Sequence, residues 1–156
     1  MGSILILGAG VMQGPAMRIA RRKGLRVYAA DADPGAACAN EADVFLPIDL
    51  KDKEALAAAA AGIPDLSGVF TAGTDFSASV AWVAERLGLP GIPHEAALDA
   101  SDKGRMRVIL ARAGVPVPAF AAGGEGDDPE RLAGSVAPLP LVVKPVDSMG
   151  ARGCRL

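Results

Sequence analysis

A short apolar run, Ile4-Leu5-Ile6-Leu7, ends directly in Gly8-Ala9-Gly10 and is followed by helix-forming residues. An unbroken apolar run of that length reads as a strand buried on both faces, and the glycines let the chain turn tightly from it into a helix. The same unit then recurs. Pro15 sits where a helix begins, Met12, Ala16, Ile19 and Ala20 share a face, and Gly24 is placed to stop the helix, read as Gly14 to Lys23. Leu25 to Ala30 reads as a second strand closing on Asp31, Asp33-Pro34-Gly35 as a turn, and Val44 to Ile48 as a third strand. Asp52 caps an alanine-rich helix that runs to Ala61 and is stopped by Gly62 and Pro64. Leu66 to Thr71 is a fourth strand, after which Gly73-Thr74-Asp75 opens a helix with Val80, Ala84 and Leu87 on one face. Strands alternating with helices impose right-handed crossovers and a mostly parallel sheet covered on both faces. The fold class is therefore α/β, a Rossmann-like domain over residues 1–97.

Beyond it, over 98–156, the pattern changes. Ser101 is placed to cap a linker helix whose stripe is Met106, Ile109, Leu110 and Ala113, and Gly114-Val115-Pro116-Val117-Pro118 ends it. Gly123 to Asp128 reads as a surface loop, and Pro129 starts a short helix leading towards Leu139. Leu141-Val142-Val143-Lys144-Pro145 favours a strand, a glycine-containing loop follows, and Cys154-Arg155-Leu156 reads as the return strand of a hairpin.

The totals remove several function classes. Sixteen basic against eighteen acidic side chains leave a formal charge of -2, with no basic stripe interleaved with aromatics, so nucleic acid is not expected as a partner. Apolar runs are interrupted well short of membrane-spanning length, and no targeting signal is visible. Cys38 and Cys154 stand in no metal-ligand spacing and read as reduced thiols of a cytoplasmic protein. His94, in Ile92-Pro93-His94, has no cysteine or acidic cluster near it in sequence and reads as part of a surface turn.

Two constellations carry candidate chemistry. Gly8-x-Gly10, with Asp31 about twenty residues on, has the outline of a dinucleotide fingerprint, but Gln13 occupies the place of the third glycine and Gly14 follows it. Two readings stay open. Gly8, Gly10 and Asp31 form a variant phosphate turn of a small NAD(P)-binding protein, or the glycines serve only a tight turn. Lys144, followed by a loop containing two glycines, a serine and an arginine, suits polyphosphate, because cations and backbone N–H groups neutralise its charge and glycine allows close approach. Local composition fits a solvated hairpin equally well.

Taken in order, Ser101-Asp102-Lys103-x-x-Met106, Ala113 to Pro118, and Pro140 to Pro145 with its glycine loop resemble the ATP-grasp superfamily. Gly8-Ala9-Gly10-x-x-Gln13-x-Pro15, Asp31-x-Asp33-Pro34 and Ala42-Asp43 are similar to the pre-ATP-grasp domain of carboxylate-amine ligases and carbamoyl-phosphate-synthase-like proteins. The resemblance implies a pre-ATP-grasp domain over 1–97 and an incomplete nucleotide-binding subdomain over 98–156. It implies that Lys103 and Lys144 reach ATP, and that Ser148, Met149, Gly150, Ala151, Arg152 and Gly153 form the loop closing over the phosphates. It further implies use of Mg²⁺ and phosphorylation of a small carboxylate to an acyl phosphate that an amine-type nucleophile attacks. In the family the metal, adenine and carboxylate contacts lie further along the chain, so no catalytic residue or metal ligand is assigned here, and the chain alone is expected to be inactive. Gln13, Thr74 and Asp75, at the carboxyl ends of strands where open α/β sheets receive ligands, are substrate-site candidates, with helix capping the alternative for Thr74 and Asp75. A homodimer, or a non-catalytic module pairing with a separate chain, is the remaining possibility.

Overall fold

The computed structural model describes residues 2–136, 139–148 and 150–156. Two compact units divide at Met1–Leu98 and Asp99–Leu156. The first holds β1 (Ser3–Leu7), α1 (Gly14–Arg22), β2 (Arg26–Asp31), β3 (Val44–Pro47), α2 (Lys53–Ala61), β4 (Leu66–Phe70) and α3 (Ser77–Arg86). A further helix, α4 (His94–Ser101), contains the division between the units.

The four strands form one parallel sheet in the order β3-β2-β1-β4. Alternation along the central strands sorts the core into two layers. Ile6, Val27 and Ala29 face Met17 and Ala20 of α1, whereas Leu5, Leu7, Tyr28 and Ala30 face Leu56, Ala57 and Ala60 of α2 and Val83 of α3. Helices thus cover both faces, as right-handed crossovers require when the chain steps from β1 to β2 in one direction and from β3 to β4 in the other. Leu5, Ile6, Leu7, Met17 and Leu56 are fully buried, each worth about 1.5–3 kcal/mol of apolar transfer.

The buried face of α1 differs from the one read in sequence. Gly14, Met17 and Ala20 are buried, while Ile19 is exposed and Met12 lies before the helix begins. The long Met17 side chain reaches the sheet, and Gly14 and Ala20, three residues to either side, let the helix approach. The stop at Gly24 is as read: φ is +76° and its N–H donates to the Arg21 carbonyl. Asp52 caps α2, accepting from the Ala55 N–H at 3.0 Å. The fourth strand ends at Phe70, one residue early, because the Thr71 hydroxyl turns to donate to the Leu7 carbonyl.

The second unit contains α5 (Lys103–Arg112) and α6 (Pro129–Gly134). Asp102, not Ser101, caps α5: Ser101 is still helical as the last residue of α4, while Asp102 is extended and its carboxylate accepts from the Arg105 N–H at 2.8 Å. His94 opens α4 instead of lying in a turn, and its N–H donates to the Glu85 carboxylate at 2.8 Å. α6 stops at Gly134, well before Leu139. The expected hairpin is reduced to one antiparallel bridge, in which Val143 and Arg155 exchange both backbone hydrogen bonds at 2.8 Å. Lys144 therefore follows a single bridge and stands on no extended strand.

Candidate functional site

Residues singled out in sequence gather in two places, one in each unit. In the first unit the strand order reverses between β1 and β4, and the crevice beyond the carboxyl ends of strands at such a point is where open α/β sheets take ligands. Gln13 lies there, 3 % exposed. Its Oε1 accepts from the Gly10 N–H at 2.9 Å, and its Nε2 donates to the Ala72 carbonyl. One side chain thus ties the turn after β1 to the loop after β4, 59 residues away. In that loop the Thr71 and Thr74 hydroxyls are 2.8 Å apart, and Thr74 accepts from the Phe76 N–H at 3.2 Å. Phe76 is the N-cap of α3 and its side chain makes no capping bond, while Thr74 organises the loop through the Phe76 N–H. Asp75 is exposed. Gly73 has φ +63°, and a Cβ there would stand 3.1 Å from the Met12 side chain, so the two loops touch closely.

The turn that resembled a dinucleotide fingerprint is satisfied from within. The Gly8 N–H donates to the Ala30 carbonyl at 2.7 Å, the Ala9 N–H to Asp31 Oδ2 at 2.8 Å, and the Gly10 N–H to Gln13. Asp31 Oδ1 accepts from the Asp33 N–H at 3.0 Å. The Gln13 side chain fills the space over Gly8, where a Cβ would come within 3.0 Å of it. A pyrophosphate on this turn would have to displace that side chain, and a ribose hydroxyl on Asp31 would compete with two backbone amides.

In the second unit Lys103 is the first residue of α5. Its Nζ donates to the Ser148 carbonyl at 2.6 Å and the Val146 carbonyl at 3.1 Å, and its backbone N–H also donates to Val146, at 2.9 Å. Lys103 and the start of the glycine loop are therefore brought together. Lys144 is exposed and makes no hydrogen bond or ion pair among the described residues. The loop turns through left-handed backbone at Gly150, Ala151 and Gly153, with φ of 64°, 57° and 74°. Arg152 is exposed on it, and Met149 lies outside the described residues. The bonds from Lys103 had no sequence signal, since they cross 43 and 45 residues.

Two groups titrate away from their ordinary values, and both serve structure. The Val27 N–H, donating to Asp43 at 2.8 Å, holds that carboxyl below the usual range, with Arg21 at 2.7 Å adding to it and burial opposing. Burial pushes the Cys38 thiol up, and the neighbouring Glu41 adds to this. Among the described residues no three His, Cys, Asp or Glu side chains converge to hold a metal ion, and no helix is long and apolar enough to cross a membrane.

A parallel sheet with a reversal point in strand order between β1 and β4, covered by helices, is the fold of the amino-terminal domain of ATP-grasp ligases, and the chain has that fold. Among solved structures it is similar to N5-carboxyaminoimidazole ribonucleotide synthetase of Thermus thermophilus, with 25% identity and a TM-score of 0.72 over 97% of this chain and 39% of that one. The ADP complex of the Staphylococcus aureus N5-carboxyaminoimidazole synthetase gives a TM-score of 0.76 at 18% identity, over 98% of this chain and 40% of that one. The biotin carboxylase domain dimer of Hydrogenobacter thermophilus 2-oxoglutarate carboxylase, in complex with MgADP, ADP and bicarbonate, gives 0.72 at 21% identity, over 98% and 36%. A Sinorhizobium fredii protein, the uncharacterized y4rH, is 35% identical over 92 residues, which are 59% of this chain and 19% of the relative. The chain thus spans about two-fifths or less of the length of each of these proteins. No protein-family model matches it.

Proposed function

We propose that this chain is the amino-terminal part of an ATP-dependent ligase that activates a small carboxylate as an acyl phosphate for attack by an amine-type nucleophile. In this reading residues 1–97 are the pre-ATP-grasp domain and 98–156 begin the nucleotide-binding subdomain. One observation carries it. Lys103 holds the carbonyls at the start of the glycine loop while the ammonium of Lys144, two residues before Val146, is left exposed. A polyphosphate needs cations and backbone amides in one place, and this segment holds the cations Lys144 and Arg152 together with a glycine-rich backbone. Lys103, Lys144, Ser148, Met149, Gly150, Ala151, Arg152 and Gly153 are the proposed nucleotide residues. Magnesium is proposed to arrive with the nucleotide, as MgATP, where it would neutralise phosphate charge during transfer; this chain's own contribution is to bind and orient the phosphates.

The crevice at Gln13, Thr74 and Asp75 is the proposed substrate side, with the Gln13 amide setting its floor. The ADP and bicarbonate in complex with the solved relatives favour this reading over a nicotinamide one, as do the occupied amides of the Gly8 to Gly10 turn. A cytoplasmic location suits two free thiols, and self-association is proposed by analogy with the dimeric relative. Calorimetric titration with MgATP and with NADH tests the reading. MgATP should bind, and Lys144→Ala should weaken it about ten-fold, equivalent to roughly 1.4 kcal/mol. Binding of NADH in preference to MgATP, or MgATP affinity untouched in the variant, would count against it.

A further inference from the structure

The switch-point crevice of the first unit is one-sided in charge. The two segments that border it, residues 8–13 after β1 and 71–76 after β4, contain no lysine or arginine. The second carries Asp75, which is exposed. Asp31 and Asp33 stand beside the first, and Asp31 is joined to it through the Ala9 N–H at 2.8 Å. The cations nearest in the chain are held elsewhere. On α1, Arg18 pairs with Glu41 and Arg21 with Asp43, both at 2.7 Å, while Arg22 and Lys23 lie at the far end of the helix. After β3, Lys51 stands among Asp49 and Asp52, and Lys53 lies over the Trp82 ring, 5.6 Å from its centroid.

Helix N-termini favour anions, and α1 and α3 both begin at this end of the sheet. Each is equivalent to roughly half a positive charge. The α1 end is also poor in donors, since Pro15 has no N–H, Gly14 is buried and the Gly10 N–H is taken by Gln13. The carboxylates of Asp31, Asp33 and Asp75 outweigh two such ends, so the field at the crevice disfavours a carboxylate or a phosphate and favours a cation. The walls also offer apolar surface. Val11 is 70 % and Met12 60 % exposed on the first loop, and the Met12 side chain closes on Gly73 of the second. Small-molecule sites combine such surface with a few polar groups that fix orientation.

We infer that this crevice takes the amine reactant and not the carboxylate: a small cationic amine bearing an apolar group, its ammonium drawn to the Asp75 side and its hydrocarbon lying on Val11 and Met12. This rests on the substrate-side reading above and states which of the two reactants that side receives. A carboxylate or phosphate would enter against three aspartates without a lysine or arginine from either bordering loop to meet it.

Isoamylamine and isovalerate test the assignment, because they share one branched hydrocarbon and differ in the sign of their charge at neutral pH. Each is titrated into protein carrying ¹³C-methyl methionine, and the Met12 methyl signal, identified by its loss in Met12→Leu, reports binding at the crevice. Isoamylamine should shift that signal saturably and bind at least about ten-fold more tightly than isovalerate. Asp75→Asn should weaken isoamylamine about three-fold, and raising salt to about 0.5 M should weaken it as well. Val11→Lys, at an exposed position, supplies the missing cation and should abolish the preference for the amine. Isovalerate binding as tightly as isoamylamine, amine affinity indifferent to Asp75→Asn and to salt, or a Met12 signal moved by neither compound would overturn the inference. MgATP binding, followed by calorimetry, is a separate arm. Its absence with the amine preference intact removes the ligase reading and leaves a cation-selective crevice, whereas MgATP binding with the preference reversed removes the inference and leaves the ligase reading.

Discussion

Replacing Gln13 by glutamate changes one atom in the joint between the two loops at the switch point. The Nε2 donor facing the Ala72 carbonyl becomes an oxygen, while the acceptor for the Gly10 N–H is kept. When ionised, the new carboxylate opposes the carbonyl in a place where Gln13 is 3 % exposed. When protonated, it can donate to that carbonyl as glutamine does. Burial and the facing carbonyl therefore raise its folded pKa above the unfolded value of about 4.3. For a raised acid the sign is fixed: its favourable contribution is fully present below the unfolded pKa and is lost as pH rises through the folded value. A shift of about 1.5 units corresponds to roughly 2 kcal/mol, at 1.36 kcal/mol per unit. Gln13→Ala instead strands the Gly10 N–H and the Ala72 carbonyl at every pH. At about 1–3 kcal/mol each, with both residues only half-buried, the lower half of the range applies and the cost is about 2–4 kcal/mol. Urea unfolding of wild type and both variants at pH 4.5 and pH 8 reads the difference. The glutamate variant should lie within about 0.5 kcal/mol of wild type in acid and fall about 2 kcal/mol below it at pH 8, while the alanine variant stays low at both. Equal destabilisation of Gln13→Glu at the two pH values would refute the assignment of Nε2 as a buried donor.

Two further outcomes test the frame around the site. Asp43→Ala removes the acceptor of the Val27 N–H at the start of β2 and should cost about 1–3 kcal/mol at neutral pH; because the native carboxyl titrates below its usual range, its stabilisation is present above the unfolded value of about 3.9 and lost as pH falls through the folded one, so wild type and variant should converge in acid denaturation curves. Thiol alkylation should modify half-buried Cys154 before Cys38, which is buried and has a raised pKa; mass spectrometry showing Cys38 labelled first would contradict the packing of Cys38 against Gly14 and Glu41.

Local chemistry made most of the elements legible in the sequence alone. The Ile4 to Leu7 run, the Asp52 cap and the stops at Gly24 and Gly114 each depend on a residue and its near neighbours, and the alternation they produce leaves a right-handed, mostly parallel sheet as the available topology. Where two cap candidates stood side by side, as at Ser101 and Asp102, composition could not choose; the extension of α4 as far as Ser101 decided it. Gln13 shows the same limit more sharply. Its place in the sequence marks a broken dinucleotide fingerprint, and only the parallel pairing of β1 with β4 brings the Ala72 carbonyl to its amide and turns the gap into a joint. Lys103 likewise reads in sequence as a solvated or phosphate-facing cation, and only the return of the chain sets the Val146 and Ser148 carbonyls against it. Strand, helix and turn follow from interactions over a few residues, so the sequence by itself determined them; the partners of a long polar side chain depend on which distant backbone groups remain unpaired after folding, and the tertiary structure alone decided those.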